Sequence, residues 1–151
     1  MENKTAHIDI SAPMQDLAPV AIADLEIVIP LITARLARAA LKYAWWFSSN
    51  LHARIRLIDV HVVPYGVPLD RPTVDSRYLA RRLRQIVEES RVSVSAEIVY
   101  ARDWEQGLRR SLSPGSLVVF AVRRSWWRMR EKRLAARLRK AGHQVVWVES
   151  E

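Results

Sequence analysis

Cysteine is absent from the 151 residues. That excludes a disulfide scaffold, a thiolate metal site, a cysteine nucleophile and a redox motif together. Glycine is scarce, with Gly66, Gly107, Gly115 and Gly142 the only four. A Gly-rich phosphate loop presents backbone N–H groups with no Cβ in the way, so such loops are nearly excluded before any motif is sought. The longest uncharged stretch near the start, Leu17–Ala23, is too short to span a bilayer and is flanked by Asp16 and Asp24. The chain is therefore expected to be a soluble cytoplasmic protein, or the soluble part of something larger. Lysine is rare as well: with Lys4, Lys42, Lys132 and Lys140 the only lysines, 20 of the 24 cations are arginine.

What remains is an ordinary globular balance, half hydrophobic and 26% charged, in a length that suits one domain. The net charge of +8 is unevenly placed. Arg102 to Lys140 carries 12 basic and 3 acidic residues, hence +9, and the rest of the chain nearly cancels. Arginine suits phosphate geometry, which gives a polyanion-binding reading. A genome that favours arginine codons accounts for the same bias.

Residues 1–23 show no period and hold Pro13 and Pro19, so they read as an arm in which only Ala6–Ile10 suggests a strand. Residues 24–151 read as one α/β domain. Leu25–Ile32 is an almost continuous apolar run, as in a strand buried on both faces. Thr33 is placed to cap a helix in which Leu36, Ala39, Ala40, Tyr43, Ala44 and Phe47 recur at helical spacing, ending at Ser48–Asn50. Ile55–Val63 is a second strand, stopped by Pro64, and Tyr65–Pro72 is a loop. Asp75 caps a second helix with an apolar stripe at Leu79, Leu83, Ile86 and Val87. Val92 to Tyr100 alternates apolar and polar residues, which predicts a strand covered on one face and close to a sheet edge. Asp103 and Gln106 form a capping box before a short helix. Leu117–Val122 is a buried strand, Trp126–Ala141 a helix closed by Gly142, and Val145–Val148 a last strand. Strands separated by single helices require right-handed crossovers and a parallel sheet. The expected architecture is an open, doubly wound, five-stranded parallel α/β sheet with helices on both faces.

Several strings resemble the universal stress protein family. Ile27-Val28-Ile29-Pro30 is similar to its opening strand, Ala39-Leu41-Tyr43-Ala44 to its first helix, and Asp59-Val60-His61-Val62-Val63-Pro64 to its second strand. Ser116–Ala121 sits where the family's fourth strand is written, and the likeness runs from Leu25 to Val148. The first helix and second strand are most similar to the stress-protein-like tail domains of amino-acid permease-type transporters. The resemblance implies strand order 3-2-1-4-5. It also implies a homodimer formed strand 5 on strand 5, here through Val145, Val146, Trp147 and Val148. An uncovered apolar edge invites such pairing on general grounds.

ATP-binding members of that family hold the nucleotide at the carboxyl ends of strands 1 and 4. They use an Asp after strand 1 and a G-x2-G-x9-G-[S/T] loop after strand 4. In this chain the Asp position falls on Ile32, the glycines on Ala121, Arg124 and Leu134, and the final Ser/Thr on Ala135. The resemblance is therefore to the branch that does not bind ATP, with no cofactor expected. Arg123, Arg124, Ser125 and Arg128 remain anion-binding candidates at the start of the last helix; a solvated arginine pair is the alternative.

Enzyme chemistry finds little support. His7, His52, His61 and His143 lie in an arm, a turn, a strand and a strand start, with no i, i+4 pair to begin a metal site. Six tryptophans are unusual. Trp104, Trp127 and Trp147 fall on apolar faces, while Trp45 shares a side with Arg38 and Lys42 and is expected to be exposed. Trp126 and Trp127 open an arginine-rich helix, which suits either an anionic membrane surface or single-stranded nucleic acid. The other reading is that the pair plugs the crevice left by the missing nucleotide loop. The expected function is a non-enzymatic regulatory or docking module, with an anion-binding stress-response protein and a polyanion-binding protein as alternatives.

Overall fold

The computed structural model describes residues 4–8, 25–51, 53–90, 92–123 and 129–150, without the side chains of 4–8, 50–51 and 129–130. The elements are β1 (Lys4–Ile8), β2 (Glu26–Pro30), α1 (Ala34–Leu51), β3 (Arg54–Val62), α2 (Ser76–Ser90), β4 (Val94–Ala101), α3 (Trp104–Ser111), β5 (Leu117–Arg123), α4 (Met129–Lys140) and β6 (Gln144–Ser150). The sheet order is β1-β4-β3-β2-β5-β6. The pairs among β2 to β6 are all parallel, so counted from β2 the order is the expected 3-2-1-4-5.

β1 adds a sixth strand, antiparallel to β4, with Lys4 opposite Tyr100 and Ile8 opposite Ala96. The expected strand at Ala6–Ile10 coincides with β1 over Ala6–Ile8, and residues 9 and 10 lie outside the described residues. The β1–β4 pairing leaves β4 next to the sheet edge, as expected for Val92–Tyr100, and what is corrected is the single covered face. β4 pairs on both sides and is buried on nearly every residue from Val94 to Ala101. The polar residue that suggested a wet face, Glu97, is buried because Arg56 reaches it from β3. Arg56 Nη1 also pairs with Glu26 Oε1 at 2.7 Å, and Nη2 donates to the Ser111 carbonyl. One guanidinium therefore ties β2, β4 and the end of α3 to β3. The Nε–Oε2 contact to Glu97, at 3.4 Å, is an ion pair without hydrogen-bond alignment.

Local signals account for the helices. Thr33 Oγ1 accepts the Leu36 N–H at 3.2 Å, Asp75 Oδ1 the Arg77 N–H at 2.9 Å, and Asp103 Oδ1 the Gln106 N–H at 2.8 Å. Gly142 follows α4 with φ +95°, a conformation a side chain would strain. α1 runs through Leu51, past the expected stop at Ser48–Asn50. The Ser48 and Ser49 hydroxyls fold back onto the Trp45 carbonyl, so these residues do not compete with the helical backbone.

Two apolar layers flank the sheet. α1 and α2 cover one face, with Ile27, Ile29, Leu57, Leu83, Ile98 and Val119 at its centre. α3 and α4 cover the other, around Val28, Ile58, Val99, Leu108, Phe120 and Leu138. Each fully buried aliphatic or aromatic side chain here contributes about 1.5–3 kcal/mol.

Candidate functional site

Strand order places the topological switch between β2 and β5, where doubly wound sheets open a crevice at the carboxyl ends. The chain builds that opening. β2 and β5 pair through only Ile27↔Leu117 and Val28↔Val118, and Pro30 has no N–H to extend the ladder. The ladder between the two strands ends there. On the α3/α4 side lies a cavity of about 260 Å³. Its apolar wall is Ile32, Trp104, Phe120, Leu134 and Trp147. Phe120 and Trp147 stack at 4.8 Å between ring centroids.

The polar groups around it are mostly acidic: Asp103, Glu105 and Glu131, with Arg137. Arg137 is already engaged, donating from Nε and Nη2 to the two Glu105 oxygens at 2.5 and 2.7 Å. This bidentate pair bridges α4 to α3 and pushes the guanidinium pKa above its ordinary value, chiefly through the hydrogen bond. Glu131 Oε2 is buried without a partner among the described residues. Asp103 carries the α3 cap. α3 sits close enough to the sheet to deliver these groups because Gly107 faces it. A Cβ at Gly107 would lie 2.7 Å from Ala101 Cβ and 2.8 Å from Val60 Cγ1.

Of the residues that resemblance places at a nucleotide site, Ile32 and Leu134 do meet in this cavity. Ile32 is 46% exposed, just after β2, and offers no acceptor to a ribose. Ala121 and Ala135 stand elsewhere. Ala121 is inside β5, opposite Val148, and packs into the α1/α2 layer. Leu134 and Ala135 lie well inside α4 rather than in a phosphate loop, and Ala135 is buried in the α3/α4 core. Fixed spacing from a family pattern does not register where a helix has begun. Arg123 ends β5 and is exposed. Arg124, Ser125 and Arg128, like Trp126 and Trp127, lie outside the described residues.

The remaining candidates are dispersed. His61 makes an edge-to-face contact with Tyr100 at 5.9 Å, on the opposite face from the cavity. The described residues hold no group of three or more His, Asp or Glu able to ligate a metal ion. Trp45 is exposed as expected, and Trp46 beside it is exposed too. In β6, Val145 is buried while Val146, Trp147 and Val148 are half-buried, and β5 is the strand's one partner among the described residues. Gly107 is the signal that sequence reasoning passed over, a glycine inside a helix beside the capping box.

The chain has the α/β fold of universal stress proteins. No protein-family model matches the sequence, and no curated protein sequence matches it. The likeness is structural. A universal stress protein in complex with cAMP superposes with TM-score 0.52 at 10% identity, over 85% of this chain and 99% of the other. A universal stress protein family member from Burkholderia pseudomallei superposes with TM-score 0.51 at 20% identity, over 83% and 96%.

Proposed function

We propose that this protein is a non-enzymatic, universal stress protein-like regulatory or docking module whose switch-point crevice does not take ATP. The carrying observation is the crevice itself. Its cavity is about 260 Å³, below the roughly 300–1,000 Å³ typical of small-molecule sites. Three carboxylates and an arginine already paired with one of them line it, which repels a triphosphate. Ile32, Leu134 and the stacked Phe120–Trp147 pair line it with apolar side chains that offer a ribose no acceptor. The sequence between Gly115 and Gly142 offers no glycine for a phosphate cradle. Calorimetric titration with ATP, AMP and cAMP tests this, with no micromolar binding expected. Micromolar binding that disappears in Arg124→Ala would overturn it.

A second reading is favoured by the structural neighbour solved with cAMP. In it the crevice keeps an altered nucleotide or another anion through Arg123, Arg124, Ser125 and Arg128. The same titration separates the two.

The module is proposed to work in the cytoplasm as a homodimer paired through Val145, Val146, Trp147 and Val148 of the β6 edge, and to dock on a transporter or another protein. Among the described residues no helix is long and apolar enough to cross a membrane. Sedimentation equilibrium checks the dimer, which Val148→Lys should weaken. Polyanion binding by α4 has less support. Arg137 is held by Glu105, and Arg139 donates to the Val145 carbonyl at 3.2 Å. Retention on heparin or anionic vesicles, lost on charge reversal of Arg133, Arg137 and Arg139, would reinstate it.

A further inference from the structure

A second cavity lies on the opposite face, between the loop before α2, the first residue of α2 and the end of β4. It measures about 400 Å³, inside the range of small-molecule sites. Its walls are Leu69, Asp70 and Arg71 of the loop, Val74 and Asp75 before α2, and Tyr100 near the end of β4. Tyr100 is 4% exposed and its hydroxyl has no partner among the described residues. Asp59, 7% exposed, stands in the neighbouring strand, two residues before the position that registers with Tyr100. Its Oδ2 also lacks a partner. Buried polar groups are nearly always hydrogen-bonded, so the orphan Tyr100 hydroxyl on this cavity's wall calls for an occupant. Burial, then Asp59, then Asp75 push the Tyr100 phenol pKa up, which keeps it a neutral O–H donor.

The chain on either side of the cavity loop is tied down. Arg102 Nη1 donates to the Val63 and Val67 carbonyls at 3.2 and 2.7 Å, and to that of Pro64. Its guanidinium lies 5.4 Å from the Tyr65 ring centroid. The Asp75 cap pins the start of α2. Anchoring the loop at both ends lowers the ordering cost of binding.

Chemistry narrows the occupant. Two carboxylates, Asp70 and Asp75, and one guanidinium, Arg71, leave the lining with one net negative charge, which the positive end of α2 partly offsets. An anion only accepts hydrogen bonds, and meets two carboxylates. An ammonium only donates, and leaves the phenol proton unmet. A hydroxyl accepts from the phenol while donating to a carboxylate. We propose that this cavity binds a small neutral polyhydroxy compound, with one hydroxyl on Tyr100 and the aspartates, and its apolar face on Leu69 and Val74.

The test is NMR titration of the full chain with glycerol, ribose and myo-inositol, and with butylammonium and inorganic phosphate as charged controls. At least one polyol should shift the Ser76 amide and the Tyr100 ring, and the charged probes should not. Tyr100→Phe removes one oxygen without altering the fold, and should weaken that polyol about tenfold, the value of one hydrogen bond. Val74→Trp, on a half-buried loop position, should fill the cavity and abolish binding while circular dichroism stays native. Absence of any polyol response, equal affinity in Tyr100→Phe, persistence in Val74→Trp or preference for a charged probe would each overturn the proposal. So would crystals grown with the polyol that show only ordered water at Tyr100.

Discussion

Replacing Gly107 by alanine puts a methyl group where α3 meets the sheet. The new Cβ would stand 2.7 Å from Ala101 Cβ and 2.8 Å from Val60 Cγ1. Neither neighbour yields easily: Ala101 Cβ is fixed by the β4 backbone, and the Val60 rotamer is held in a buried strand. Relief therefore requires α3 to move outward. Overpacking of this kind costs about 1–3 kcal/mol. Against it stands the gain of about 1 kcal/mol when alanine replaces glycine inside a helix. Two contacts below 3.0 Å argue for the upper half of the cost, leaving a net loss of about 1–2 kcal/mol. In a domain of this size that lowers Tm by about 2–8 °C. Urea unfolding of wild type and Gly107→Ala, read by circular dichroism, measures it. Equal or greater stability in the variant would refute the close approach of α3 and, with it, the way Asp103, Trp104 and Glu105 are delivered to the crevice.

Other predictions follow from single contacts. Arg56→Met strands the buried Glu97 carboxylate and should cost about 3–5 kcal/mol in denaturant unfolding, whereas Arg56→Met with Glu97→Gln should recover much of it. Leu138→Ala opens a void under α4 and should cost about 2–5 kcal/mol by the same assay. Asp59 is protonated more readily in the fold than in the unfolded chain, because burial raises its pKa above 3.8 while Arg82 and His61 pull it back. Its contribution therefore becomes less favourable as pH rises from that unfolded value through the folded one. Asp59→Asn removes this dependence, so its effect on stability should be more favourable at about pH 7 than at about pH 4.

The parallel core was readable because strands buried on both faces are written as unbroken apolar runs, as in Ile27–Ile29 and Leu117–Val122. The caps at Thr33, Asp75 and Asp103 were readable because their partners lie within three residues. What escaped was set by distant chain. Ser95 is exposed, and Glu97 continues its alternation although it is buried; nothing local says that Arg56 will neutralise Glu97. β1 has five residues and no strong period; β4 supplies its register. A cavity lies at the β2/β5 switch, and Ala121 and Ala135 belong to packed elements rather than to its lining. Its acidic character comes from α3 and α4 meeting, which spacing along one segment does not reveal. The Tyr100 cavity left no sequence trace, since a loop closes over a strand end to form it.

Crystals of the full chain grown with saturating ATP test the central claim most directly. The crevice between β2 and β5 is predicted to hold no nucleotide density, with Phe120 stacked on Trp147 and Arg137 on Glu105 as described. An adenine ring against Ile32, with its phosphates seated at the start of α4, would contradict the account.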